Sequence, residues 1–270
     1  MRTIAIMNQK GGVGKTTTSV NLSAALAAAG FKVMLIDLDP QAHASLHLGL
    51  TFEHEFPSVY DVLVKDVSLD SVRRQALENL WLVPAHLDLA AADFELASVL
   101  GREKILADKI AEDNMKFDFI IVDCPPSLGV LTLNALVAVE EVIIPLQPHF
   151  LALHGLSKLL ETIELVSKRL NSKLRVSGVV LCLFDGRTTL ANDVKNDVKS
   201  FFDQHEGRPA AWRDVLVFDT NIRRNIRLAE APSYGQSIFD YDAKSNGAED
   251  YRSLAAEVLQ MTKNDTAESK

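Results

Sequence analysis

Lys10-Gly11-Gly12-Val13-Gly14-Lys15-Thr16-Thr17 carries the densest chemistry in the chain, with three glycines, two lysines and two hydroxyls in eight residues. Glycines let a backbone turn tightly and aim successive N–H groups into one anion-binding nest. A helix starting at Lys15 adds the partial positive charge of its N-terminus. In such a loop Lys15 reaches the β- and γ-phosphates of a nucleotide and the Thr16 hydroxyl ligates Mg²⁺. Lys10, Gly11, Gly12, Val13, Gly14, Lys15, Thr16 and Thr17 are therefore the expected phosphate contacts. The run departs from the ordinary G-x-x-x-x-G-K-[ST] pattern, because Gln9 stands at its first glycine position and a lysine, Lys10, opens the glycine stretch.

Two carboxylate signals accompany the loop. Leu35-Ile36-Asp37-Leu38-Asp39-Pro40-Gln41 ends an apolar run with alternating acids before a proline turn, so either carboxylate can reach a metal or order a water. Phe119-Ile120-Ile121-Val122-Asp123 is a hydrophobic strand ending in a single Asp, the Walker-B form that holds Mg²⁺ directly or through water. The Pro125-Pro126 pair then stiffens a loop able to sense a γ-phosphate. Cys124, with no recognisable His partner, reads as a small buried residue and not a nucleophile.

These groups need a scaffold that brings strand ends together. Continuous apolar runs at Thr3–Met7, Lys32–Asp37, Leu80–Val83, Phe119–Asp123, Glu141–Pro145, Val176–Leu183 and Val215–Phe218 suit strands buried on both faces. Helical patterns lie between them at Lys15–Ala29, closing at Gly30, and at Ala90–Glu112, Gly129–Ala138, His154–Asn171 and Leu190–His205. The alternation predicts an α/β fold with a doubly wound, mostly parallel sheet flanked by helices, in which ligands sit beyond the carboxyl ends of the strands. Glu53–Ser71 and Glu206–Asp214 read as surface excursions. Residues 1–260 are expected to form one domain and 261–270 a flexible polar tail.

Composition narrows the function. The 270 residues are 47% hydrophobic and 24% charged, ample for a core, and 28 basic minus 36 acidic residues give −8. Bulk attraction to nucleic acid is absent, so any such contact needs a local patch. Two cysteines without metal spacing suit a reducing cytoplasm. No run approaches the ~18 apolar residues of a membrane span, and the short apolar start reads as a strand and not a signal peptide.

Lys10–Thr17 resembles the deviant Walker A motif of the family that contains the ParA/Soj partition ATPases, the division-site regulator MinD and nitrogenase iron protein. Asp37–Gln41 and Val122–Ser127 are similar to that family's next two motifs. Ile226-Arg227-Leu228-Ala229-Glu230-Ala231-Pro232-Ser233-Tyr234-Gly235 and Tyr241–Ala248 are similar to the Soj branch in particular, and the resemblance runs from Ile4 to about Leu259. It implies the P-loop NTPase fold and a Mg²⁺-dependent ATPase whose ATP is sandwiched in a homodimer. Lys10 would cross to the partner's phosphates, Lys15 and Thr16 would serve their own subunit, Asp39 would position water, and Asp37 and Asp123 would lie on the Mg²⁺ side. A second lysine supplied in trans would act much as an arginine finger does.

The resemblance further implies sequence-independent binding of duplex DNA by the ATP dimer, release through hydrolysis stimulated by a ParB-like centromere-binding partner, and a cytoplasmic, nucleoid-associated location. The matching DNA-binding positions are Arg187, Arg224, Arg227 and Lys244, and Asn221 is expected near the base. Arg223 stands where the family usually has proline, and Gly186 where alanine is usual. A MinD-like membrane-cycling regulator is the alternative, but the polar C-terminus lacks the amphipathic helix it would need. An iron protein needs two suitably placed cysteines. An amide-forming ligase on the same fold is disfavoured by the late Soj-like segment and the arginines.

Overall fold

The computed structural model describes residues 1–50, 56–203 and 209–268, with side chains described as far as residue 261. Strands β1 (Arg2–Ile6), β2 (Val33–Asp37), β3 (Arg74–Leu77), β4 (Leu80–Val83), β5 (Phe119–Asp123), β6 (Glu141–Leu146), β7 (Arg175–Phe184) and β8 (Leu216–Arg223) form one sheet. Their order is β3-β4-β2-β5-β1-β6-β7-β8. Every neighbouring pair is parallel except β3 with β4. Helices α1 (Lys15–Ala28), α2 (His43–His47), α3 (Val59–Val64), α4 (Leu69–Val72), α5 (Ala92–Glu95) and α6 (Ile105–Glu112) occupy the first half. They are followed by α7 (Val130–Ala138), α8 (Ala152–Arg169), α9 (Thr189–Asp203), α10 (Ile226–Glu230), α11 (Ile238–Asp242) and α12 (Asn246–Glu268). No helix among the described residues is long and apolar enough to cross a membrane.

Two cores sandwich the sheet. Ile4 and Ile6 of β1 belong to the core that includes α1 and α12, while Ala5, and Met7 just after the strand, belong to the core on the opposite face that includes α3, α6, α7, α8 and α9. β5 divides likewise, with Phe119 and Ile121 on one face and Ile120 and Val122 on the other. That two-sided burial is why these strands read as unbroken apolar runs, and the doubly wound expectation holds.

Three local expectations are corrected. The single helix expected over Ala90–Glu112 is a 3₁₀ turn at Leu87–Ala91, the short α5, and then α6. Gly101 breaks it at φ 74, and the Asn134 side chain on α7 accepts from Leu106 N–H at 3.0 Å, satisfying a donor at the new helix start. Of the excursion expected at Glu53–Ser71, residues 51–55 lie outside the described residues. The rest contains α3, begun by a capping box between Ser58 and Asp61, and the start of α4. β8 continues past Phe218 to Arg223. Asp219, Thr220 and Asn221 are polar because this is an edge strand, and Glu257 of α12 covers that edge by accepting from the N–H groups of Asp219 (2.9 Å) and Thr220 (2.8 Å).

Residues 204–208 of the second expected excursion also lie outside the described residues, and Ala210–Trp212 forms a 3₁₀ turn. Most of the expected tail has no described side chains, and the backbone of α12 runs to Glu268.

Candidate nucleotide and magnesium site

The loop between β1 and α1 starts from a buried anchor. Asn8 donates to the Pro145 carbonyl at the end of β6 (2.8 Å) and accepts from the Lys10 N–H (3.0 Å), fixing where the glycine run begins. Gly12 and Gly14 take φ of 72 and 95, conformations that L side chains rarely adopt. Gly14 is also the N-cap of α1 and supplies no side-chain cap, so the first N–H groups of the helix remain available to an anion. The Lys15 side chain folds back to donate to the Lys10 carbonyl at 3.1 Å.

Asp37 and Asp123 are register partners at the ends of β2 and β5, and both are fully buried. Asp37 Oδ2 accepts from the Ser45 N–H (2.8 Å) and hydroxyl (2.7 Å), and its Oδ1 accepts from the Asp39 N–H (3.3 Å). Asp37 Oδ2 thus holds the start of α2, and Oδ1 the loop at Asp39. Asp123 Oδ1 accepts from the Ser19 hydroxyl at 2.7 Å, while its Oδ2 is buried with no hydrogen-bond partner among the described residues. Asp39 is nearly buried and accepts from the Gln41 N–H at 2.9 Å. A cavity of about 430 Å³ is lined by Gly11, Gly12, Lys15, Thr16, Asp39 and Pro126, among others.

The electrostatics fit a divalent cation. Burial, with repulsion from Asp37 adding to it, pushes the Asp123 carboxyl up to about 8; the hydroxyls of Ser19 and Thr16 act the other way. Burial likewise raises Asp37 to about 6 against the hydrogen bonds from Ser45. Lys15 is lowered by burial, with Asp123 and Asp39 opposing that shift. A buried, unpaired carboxylate oxygen beside the Thr16 hydroxyl is a suitable donor set for Mg²⁺, reached directly or through water.

A pH dependence follows. The folded chain holds protons on this pair that the unfolded chain has lost, so stability without metal should fall as pH rises from about 4 toward 8. Metal binding must expel such a proton, so Mg²⁺-nucleotide affinity should rise about tenfold per pH unit between 6 and 8. Calorimetry in buffers of different ionisation enthalpy should detect the released proton. Asp123→Asn should flatten the slope, and an unchanged slope in that variant would remove Asp123 from the metal side.

The expected basic positions are distributed unevenly. Arg187 is exposed on the loop after β7 and pairs with Asp185 at 2.9 Å. Arg224 is exposed beside the same acid; Asp185 is held down to about 2, chiefly by Arg187, with Arg224 contributing. Arg227 is half exposed and meets Glu230 (2.8 Å) and Asp242 (3.5 Å). Lys244 is exposed. Arg223 is held by Asp250 and Glu249, both at 2.6 Å. The run from Arg223 to Arg227, free of acids in sequence, is therefore partly neutralised by Asp242, Glu249 and Asp250 from later segments and by Glu230 one turn on. Lys10 is exposed and forms no ion pair among the described residues.

Asn221 donates to the Asp219 carbonyl (3.1 Å), and its Oδ1 is buried without a partner among the described residues. It does not line the small cavity beside the phosphate loop, which Arg223, Asn225 and Tyr251 do. Sequence reasoning passed over Asn8, Ser19 and Ser45. Ser19 lies one helical turn after Lys15, which was the only available signal for it. The late Soj-like segment reaches the site indirectly: Gly235 (φ 64) abuts Gly49 (φ 83), where a Cβ would stand 2.7 Å from the Gly49 Cα. This contact seats the segment on the end of α2.

The family model described as an AAA domain matches residues 1–176. The sporulation initiation inhibitor protein Soj of Bacillus subtilis is 48% identical, over 94% of this chain and 97% of that protein. The chromosome-partitioning ATPase Soj of Treponema pallidum is 44% identical, over 96% and 97%. A crystal structure from Mycobacterium smegmatis with bound ATP analogue and magnesium, described as cobyrinic acid a,c-diamide synthase, superposes with a TM-score of 0.82 at 38% identity, covering 97% of this chain and 96% of that one.

Proposed function

Because this chain belongs to the Soj/ParA family of chromosome-partitioning ATPases, we propose that residues 1–260 work as one ATP-switched domain whose dimer grips duplex DNA and releases it on hydrolysis. The observation that carries this reading is the buried Lys15 lining one cavity with Asp39, in front of the carboxylate of Asp123 and beside an exposed Lys10.

The glycine-loop N–H groups and the N-terminus of α1 bind the phosphates, and Lys15 exchanges the Lys10 carbonyl for a phosphate oxygen. Thr16 and Asp123 would hold Mg²⁺, with Asp37 stabilising that side through Ser45; the ion would supply neutralising charge to the phosphates. Asp39 orients the attacking water and accepts its proton. Lys10 crosses to the nucleotide of the second subunit, so charge at the transition state is fully screened only in the dimer. Dimerisation and turnover are coupled for that reason, and a ParB-like centromere-binding partner accelerates the hydrolysis that dissolves the dimer. The protein acts in the cytoplasm, at the nucleoid.

Arg187, Arg224, Arg227 and Lys244 form the DNA-facing patch. Pairing two copies doubles its phosphate contacts, which makes DNA affinity depend on nucleotide state without any change in the patch. Fluorescence anisotropy of a random-sequence duplex, titrated in ATP, ADP and no nucleotide at two salt concentrations, tests this. Binding should require ATP and weaken with salt. Arg224→Glu should reduce the salt slope by about two per dimer, and Arg227→Glu should act in the same direction. Binding equal in all nucleotide states, or undiminished in both variants, would overturn the reading.

The amide-forming name carried by the Mycobacterium smegmatis structure suggests a second reading, a ligase. Nucleotide turnover that needs a carboxylic acid co-substrate and ignores DNA would favour it.

A further inference from the structure

Beside the phosphate cavity lies a second one of about 120 Å³, and the two share Gly14, Thr17 and Leu183. A nucleotide with its phosphates on the glycine loop has this space adjoining it. Its walls include the apolar Ile222 and Leu228 as well as Tyr251, so it suits a flat heteroaromatic ring better than another anion.

Its shape is set by an unusual piece of backbone on one wall and a side-chain clamp on the other. On β7, Leu183 takes φ 55 at a break in register, with Cys182 facing Ile222 and Phe184 facing Arg223. Such a bulge re-aims one side chain, here into the boundary between the cavities. On β8, the opposing wall ends at Arg223 and is fastened from outside. The Arg223 N–H donates to Asp250 Oδ2 (2.8 Å), its Nε to Asp250 Oδ1 (2.9 Å), and its Nη2 to Glu249 Oε2 (2.6 Å) and the Asn246 carbonyl (3.3 Å). The Asp250 side chain is 7% exposed, so this charge is held in place by its arginine. The neighbouring Tyr251 hydroxyl lies 3.2 Å from that of Thr18, and the Thr18 N–H donates to the Gly14 carbonyl (2.9 Å). One end of α12 therefore ties the cavity wall to the helix that presents the phosphate loop.

We propose that Arg223 is a positioning residue for the nucleotide base: by clamping the end of β8 to Asp250 and Glu249 it holds the wall of the small cavity at the separation a base requires. This rests on the nucleotide reading above and adds to it a residue whose guanidinium is committed to protein carboxylates and not to phosphate.

The test is calorimetric binding of Mg²⁺-ATP and of Mg²⁺-triphosphate, which has no base, to the full chain. The wild-type chain should bind ATP more tightly than triphosphate. Arg223→Ala should weaken ATP about tenfold, the equivalent of about 1.4 kcal/mol, and leave triphosphate unchanged. Arg223→Lys should recover part of the loss, and so should the exchange Arg223→Asp with Asp250→Arg. If Arg223→Ala does not fold, Arg223→Lys still carries the comparison, with a smaller loss expected for ATP alone. Undiminished ATP binding, or equal loss for both ligands, would overturn the role of Arg223 while leaving the phosphate site standing. A wild-type chain that binds neither ligand would overturn the nucleotide reading, and this proposal with it.

Discussion

Replacing Lys15 with alanine is expected to abolish measurable ATP binding and to lower turnover by about 10³-fold or more, the scale on which preorganised charge acts at a transferring phosphoryl group. Lys15 is the cation that faces Asp123 and Asp39 from inside the fold, and its ammonium already donates into the phosphate loop. Alanine would remove the charge that meets the phosphates and leave two nearby carboxylates without their cation. Equilibrium binding of a fluorescent ATP analogue, run alongside thermal melting, separates lost binding from lost folding. Lys10→Ala is the control. Lys10 is exposed and forms no ion pair among the described residues, so this variant should bind ATP as a monomer with near-normal affinity and fail to form the ATP dimer in sedimentation. Near-normal ATP affinity in Lys15→Ala would sink the phosphate-loop assignment.

Asp39→Ala should behave oppositely, with ATP binding retained and hydrolysis lowered by about 10²- to 10⁴-fold, as expected when a general base is removed. Asp39 lines the phosphate cavity, whereas both oxygens of Asp37 are taken by Ser45 and the Asp39 N–H. Of the two acids after β2, Asp39 is thus the one placed to meet a water. A variant that binds but cannot hydrolyse should accumulate as an ATP dimer on DNA, visible as anisotropy that persists after ATP dilution. Single-turnover phosphate release at the wild-type rate would take water positioning away from Asp39.

The two aspartates show the limit of reading spacing alone. In sequence, Asp37 and Asp39 are equivalent acids at a strand end. Ser45, eight residues after Asp37, divides their roles, and nothing in the linear pattern marks a serine for that task. The arginines teach a related lesson. Arg223, Arg224 and Arg227 form a basic cluster along the chain with no acid between them, yet Asp250 and Glu249 claim the first and Glu230 and Asp242 share the last. Only Arg224 of the three has no ion pair among the described residues.

What the sequence determined by itself is what local chemistry enforces. The glycine run admits the left-handed turns of Gly12 and Gly14, and seven apolar runs become strands because both faces of the sheet are covered. Each carboxylate ends its strand on the edge where the loop opens. Tertiary structure alone decided the rest: the antiparallel edge strand β3, the commitment of Asp37 to Ser45, and the ion pairs that hold Arg223 away from the basic patch. The reason is physical. Local backbone conformation and the apolar pattern are set by residues near in sequence, whereas hydrogen bonding and charge pairing depend on which distant segments the fold brings within about 3 Å.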